Sequence, residues 1–103
     1  MSGEFTRFCK LADIPPGSNK ALKLNNTWVL VCHADERLFA VSGVCSHQVK
    51  PLASGRVRNC MITCPVHGAR FNLETGAALN LPATQPIATY ELRVVDDWIE
   101  VRV

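Results

Sequence analysis

Short apolar runs, broken by proline, glycine and paired polar residues, recur along this chain, and no apolar repeat of helical period is sustained. The clearest pattern is at the C-terminus. Tyr90, Leu92 and Val94 alternate with Glu91 and Arg93, Asp96-Asp97 turns the chain, and Ile99, Val101 and Val103 alternate with Glu100 and Arg102. That is a hairpin with a two-residue side-chain period. Trp28 to Cys32 is a continuous apolar run suited to a buried strand, followed by a turn at Asp35-Glu36 and a return arm from Leu38 to Val41. Phe5 to Cys9 reads as an opening strand, Pro15-Pro16-Gly17 as a turn, and Ala21 to Leu24 as a second strand. Val57 to Thr63 reads as one strand between two loops, Cys45 to Gly55 and Cys64 to Gly68. Phe71 and Leu73 lead into the turn Glu74-Thr75-Gly76, and the prolines of Leu81 to Pro86 make that segment irregular. The sum is an all-β domain of about eight to ten short strands, a sandwich or small barrel.

At 103 residues there is room for one domain, 1–103, and 48% apolar with 19% charged residues is the balance of a chain that builds a core. The longest apolar run, Trp28 to Cys32, falls far short of the roughly 20 residues that span a bilayer, and Met1 to Cys9 has no secretory apolar region, so the expected location is the cytoplasm with no membrane contact. Five cysteines are an odd number, which excludes a complete internal disulfide framework, and in a reducing compartment cysteines grouped with histidines point to metal. The charge is uneven. Cys45 to Asn72 carries Lys50, Arg56, Arg58 and Arg70 and no acidic residue, so it is +4 while the rest of the chain is −2. With a net charge of +2 and few aromatics, nucleic acid is not an expected partner.

The chemistry gathers in two short motifs, Cys45-Ser46-His47 and Cys64-Pro65-Val66-His67, separated by residues 48 to 63. Each places one thiolate and one imidazole on a loop, and loops joined by hairpin strands can be brought face to face. Tetrahedral zinc with two sulfur and two nitrogen ligands fits such a set. So does a [2Fe–2S] cluster with two histidines on one iron and two cysteines on the other. The tight C-x-H pair is unlike the usual C-x₂₋₄-C zinc knuckle and leans toward iron–sulfur.

The whole pattern resembles the Rieske [2Fe–2S] family. The likeness covers both ligand pairs, Pro51-Leu52-Ala53-Ser54-Gly55, Cys64-Pro65-Val66-His67-Gly68, Phe71-Asn72-Leu73-Glu74-Thr75-Gly76 and the proline-bearing segment Leu81 to Pro86. It implies an antiparallel β-sandwich base with a small cluster-binding subdomain of two loops, about residues 43–72. It implies one Rieske-type cluster with Cys45 and Cys64 on the inner iron and His47 and His67 on the outer one, and shielding of the cluster by the loop Pro82 to Pro86. Respiratory and photosynthetic members carry an extra disulfide where this chain has Lys50 and Val66. They also tend to carry a serine and a tyrosine donating to the cluster where this chain has Ala69 and Phe71. Fewer donors imply a potential near the bottom of the roughly −150 to +300 mV Rieske range.

Within that family the chain resembles the ferredoxin component of bacterial aromatic ring-hydroxylating dioxygenase systems. This implies a monomeric one-electron carrier, not itself an enzyme. Its partners would be a flavin-dependent ferredoxin reductase and a terminal Rieske non-haem iron oxygenase. The Rieske small subunit of an assimilatory nitrite reductase is the alternative. Val49, Pro65 and Val66 would form a small apolar tip beside the histidines. Lys50, Arg56, Arg58 and Arg70 are either a collar that steers an acidic partner or a solvated basic face. Cys9, Cys32 and Cys60 are expected to be buried thiols, Trp28 and Trp98 core residues, and His33 an exposed or hydrogen-bonded residue without a redox role.

Overall fold

The computed structural model describes residues 4–34, 36–44, 52–53, 55–65, 68–80 and 85–103. Nine strands lie among them: β1 (Thr6–Lys10), β2 (Asn19–Leu24), β3 (Thr27–Ala34), β4 (Arg37–Ser42), β5 (Arg56–Arg58), β6 (Met61–Thr63), β7 (Arg70–Asn72), β8 (Thr89–Val95) and β9 (Trp98–Arg102). A single 3-10 turn, Leu11–Asp13, follows β1. All strand pairs are antiparallel and form two sheets. The larger runs β1-β9-β8-β4-β3-β2 and the smaller β5-β6-β7.

Strand β3 shows how the pieces lock together. Its alternate residues bury on both faces. Val29 and Val31 join Phe8, Cys9, Ile14, Leu24, Ala40, Ile99 and Val101, while Leu30, Cys32 and Ala34 join Phe39, Val41, Leu52, Ile62, Cys64, Ala69, Phe71, Leu73 and Ile87. The first set draws on both ends of the six-stranded sheet, which curls over itself into a sandwich. The second lies between that sheet and the three-stranded one. A strand buried on both faces must be apolar at every position, hence the continuous run Val29 to Cys32. Only two residue pairs, Ala40↔Tyr90 and Val41↔Thr89, join β4 to β8 at the fold of the sandwich.

The turns follow strand twist. Asn25-Asn26, Asn59-Cys60 and Asp96-Asp97 each join paired strands through two residues, both with positive φ of 49° to 66°. This is the mirror-image turn that matches the right-handed twist of hairpin strands. Glycine is favoured at its second position, where asparagine and aspartate are tolerated at some cost. Asn26→Gly and Asp97→Gly are therefore expected to raise stability by about 0.5 kcal/mol each, read as a melting temperature about 3 °C higher.

Two sequence expectations are corrected here. Val57 to Thr63 is not one strand: Asn59-Cys60 turns the chain and makes it two, β5 and β6. Neither tryptophan is a core residue. Trp28 is 50% exposed, because it stands at the first turn-side end of β3, opposite Lys23 and beyond the cover that the core gives Leu30. Trp98 opens β9 half-buried, with the Arg7 guanidinium 4.7 Å and the Lys10 ammonium 5.5 Å from its ring centre. It carries a cation on an aromatic face instead of filling a cavity. Among the described residues no helix is long and apolar enough to cross a membrane.

Candidate metal centre

Of the four expected ligands, Cys64 is described; Cys45, His47 and His67 lie outside the described residues, as do Lys50, Val49, Val66 and residues 81–84 of the expected shielding loop. The frame around both ligand loops is nevertheless fixed in detail. The first loop leaves β4 through Gly43, whose N–H donates to the Trp28 carbonyl at 2.8 Å and whose carbonyl accepts from Leu52 N–H at 2.9 Å. That second bond clamps the two ends of the loop together. Leu52 is fully buried in the inter-sheet core, and Gly55 N–H donates back to its carbonyl at 2.9 Å. Asn19 on β2 reaches across to donate its side-chain amide to Gly55 O at 3.0 Å, tying the loop exit to the base sheet.

The second loop leaves β6. Cys64 N–H donates to Ala69 O at 2.6 Å and Gly68 N–H to Cys64 O at 3.1 Å, so the chain reverses within six residues, with Gly68 at φ 74°. Asn80 braces the return. Its side-chain amide donates to Gly68 O at 3.2 Å while its Oδ1 accepts from Arg70 N–H at 2.7 Å. One side chain thus couples the end of this loop to the start of the 81–84 segment. Asn80 is a positioning residue that the motif reading missed. The only hint in the sequence was a short amide side chain directly before the proline-bearing stretch.

The Cys64 side chain is 2% exposed, in the cluster that holds Leu52, Ile62, Ala69 and Phe71. Among the described residues it is a free thiol and donates no hydrogen bond. A soft sulfur donor at the mouth of a tight loop, walled by apolar side chains and opposite the clamped root of a second loop, fits a [2Fe–2S] core that must be kept dry. Ala69 and Phe71 are fully buried there and bring no side-chain donor, as their residue types require.

The remaining thiols and His33 do other work. Cys32 is fully buried between the sheets, and burial pushes its thiol up to about 12 from an ordinary value of 9.0. Burial likewise raises Cys9, despite the opposing pull of Lys20, and Tyr90. Cys60 departs from expectation: it is half-buried, because it sits in the β5–β6 turn at φ 60° and only leans on the core. His33 is hydrogen-bonded, its Nδ1 lying 2.8 Å from Ile14 O, and pins the Ile14 to Ser18 segment to β3.

The raised thiols give a pH dependence. The folded state keeps Cys32 neutral where the unfolded chain ionises it, so its contribution is full below about pH 9 and is lost as the pH rises toward about 12. Denaturation midpoints are expected to hold steady near neutrality and to fall by the equivalent of about 1–2 kcal/mol by about pH 10.5. Cys32→Val is expected to flatten part of that fall.

The profile of the Rieske [2Fe-2S] domain matches residues 4–91. The chain is 35% identical over 96 residues, covering 92% of it and 90% of the relative, to the 3-phenylpropionate/cinnamic acid dioxygenase ferredoxin subunit of Photorhabdus laumondii. It is 30% identical over 96 residues to the biphenyl 2,3-dioxygenase ferredoxin component of Rhodococcus jostii, covering 93% and 90%. Among solved structures, the ferredoxin of carbazole 1,9a-dioxygenase from Nocardioides aromaticivorans superposes with a TM-score of 0.90 at 30% identity, over 96% of this chain and 97% of that one. A protein described as an NADH-dependent nitrite reductase small subunit from Mycobacterium tuberculosis shares the fold at 22% identity and a TM-score of 0.87. Matched over most of its length by that profile and by relatives at 30% identity or more, the chain belongs to the Rieske [2Fe-2S] domain family, and its cofactor is one Rieske-type cluster with cysteine and histidine ligands.

Proposed function

We propose that this chain is the ferredoxin of a multicomponent aromatic ring-hydroxylating dioxygenase, taking one electron from a flavin-dependent reductase and delivering it to a terminal Rieske non-haem iron oxygenase. The observation that carries the reading is that dioxygenase ferredoxins match it at 30–35% identity across nearly the whole of both chains. The nitrite reductase small subunit matches in fold at lower identity. In this reading Cys45 and Cys64 hold one iron, His47 and His67 hold the other, and residues 43–72 form the cluster-binding part of a single domain spanning 1–103. The protein works as a cytoplasmic monomer that meets its partners in turn.

A Rieske cluster supplies a reversible one-electron couple. The protein's own residues set its conditions. Leu52, Ile62, Ala69 and Phe71 exclude water on the Cys64 side, which lowers the local dielectric and limits reorganisation. Ala69 and Phe71 give the thiolates no side-chain hydrogen bond, so the reduced, more negative state gains less support and the potential lies near the low end of the Rieske range. The Gly43–Leu52 clamp joins the ends of the first loop, and the Asn80 brace ties Gly68 to Arg70 at the return of the second.

Electron paramagnetic resonance of the anaerobically purified protein tests this. The expected result is a rhombic signal that appears only on dithionite reduction, with an average g below that of all-cysteine [2Fe–2S] centres. A colourless protein with stoichiometric zinc and no sulfide would overturn it. Stable co-purification with a large sirohaem enzyme would transfer it to the nitrite reductase role.

A further inference from the structure

The arginines of this protein fall into two groups. Arg7, Arg37, Arg93 and Arg102 are each ion-paired, to Glu100 at 3.9 Å, Glu74 at 3.3 Å, Glu100 at 2.7 Å and Glu91 respectively. Each also lies over an aromatic ring, of Trp98, Phe39 or Phe5. Arg56, Arg58 and Arg70 have neither kind of partner among the described residues. All three are exposed.

Strand register puts these three together. Arg56 pairs with Thr63, and Thr63 with Arg70, which makes one row across the small sheet; Arg58, Met61 and Asn72 make the next row on the same face. The intervening row, Val57, Ile62 and Phe71, points into the core, so the arginine rows point outward. At about 3.3 Å per residue and 4.8 Å per strand, the three Cα atoms lie about 7 to 12 Å apart. That is about one Debye length at 0.1 M salt, so their charges act as one patch. The segment from Cys45 to Asn72 offers no acidic residue to offset them, and Thr63 directly precedes Cys64.

Three like charges gathered on a small sheet, without counterions among the described residues, repel one another and add nothing to the fold. The same chain compensates its other arginines, so this face is a departure from its own pattern. We infer that the outer face of the three-stranded sheet, Arg56, Arg58 and Arg70 around Met61 and Thr63, is the surface on which an electron-transfer protein with an acidic rim docks. The inference rests on the electron-carrier reading and adds the charge of the partner to it. A small charged face with one apolar side chain at its centre suits a brief, low-area contact whose encounter rate is set by steering.

The test uses reduced holoprotein mixed in a stopped-flow instrument with two acceptors, plant plastocyanin, which presents an acidic patch, and cytochrome c, which is basic. With wild type, transfer to plastocyanin is expected to fall about tenfold between about 20 and 300 mM salt, while transfer to cytochrome c is expected to rise. R56E/R70E should slow plastocyanin about tenfold at low salt and speed cytochrome c. K10E/K23E makes the same change in net charge on the larger sheet and should alter either rate by less than about threefold. Should R56E/R70E fail to fold, R56Q/R70Q is expected to give half the effect on a logarithmic scale. The inference is overturned if R56E/R70E leaves both rates unchanged, or if the two double variants slow plastocyanin equally, which would show net charge at work and not this face. The reduced-cluster signal is recorded on every sample. Its absence from wild type would sink the electron-carrier reading itself, whereas a normal signal with no acceptor preference would sink only the docking face.

Discussion

Cys64→Ala is expected to yield a protein with no [2Fe–2S] signal and a stability loss on the order of 5 kcal/mol, against wild type loaded with its cluster. Cys64 is 2% exposed and belongs to the inter-sheet core, so the site and the fold share one set of side chains. Binding energy at such a site is folding energy, because the unfolded chain does not present the ligands together. Cys32→Ala is the control. Cys32 is also fully buried in the same cluster but stands on β3, outside both ligand motifs. It should keep the full signal and lose about 1–2 kcal/mol, the transfer and cavity cost of one small side chain. Paramagnetic resonance together with urea unfolding separates the two. Equal stability losses, or a retained signal in Cys64→Ala, would remove Cys64 from the ligand set. Substitutions of Cys45, His47 and His67 are expected to match Cys64→Ala in the spectrum.

Gly76→Ala is expected to lower stability by more than about 3 kcal/mol, enough to leave this small domain largely unfolded at 37 °C. Gly76 has a φ of 80°, and a Cβ there would overlap the carbonyl oxygen of Ile87. The obstacle is backbone, so no side chain can turn away. Its own N–H donates to Asn72 O at 2.7 Å, and its carbonyl accepts from Ile87 N–H at 2.8 Å. Relieving the overlap would therefore open the junction between β7 and the segment that leads into β8. Gly17→Ala separates the two causes. Gly17 has a similar φ of 87°, but a methyl group on its Cα would meet nothing within 4 Å, so it should cost only the left-handed backbone term, about 1 kcal/mol. The difference in melting temperature between the two variants, about 10 °C or more, measures the contact alone. Equal melting temperatures would mean that the segment around Ile87 moves freely.

The candidate ligand pairs stand out in the sequence because their chemistry is local. A thiolate and an imidazole two or three positions apart on a loop make a candidate ligand pair, and the likeness to the Rieske family is what turns two such pairs into a proposed ligand set. The supports were not legible. The Gly43–Leu52 clamp is a backbone bond and leaves no mark on residue type. Asn80 and Asn19 act across 10 or more positions on backbone groups that the fold alone brings near.

The fold divides the same way. Alternation along Thr89–Val95 and Trp98–Arg102, and the paired Asn and Asp residues between strands, fix hairpins, since side-chain parity and turn twist are properties of a few neighbouring residues. The all-β class followed from such local rules. Whether an apolar residue ends up covered is a different matter, because cover comes from distant segments. Trp28 and Val29 are adjacent and both apolar, yet one is 50% exposed and the other fully buried, since they face opposite sides of β3 and on the Trp28 side the cover ends at Leu30. Likewise, nothing in the residue types separates Arg93, paired with Glu100, from Arg56, which has no counterion among the described residues. Only strand pairing places a glutamate across from one and Thr63 across from the other, and so decides which charges the fold neutralises and which it leaves for a partner.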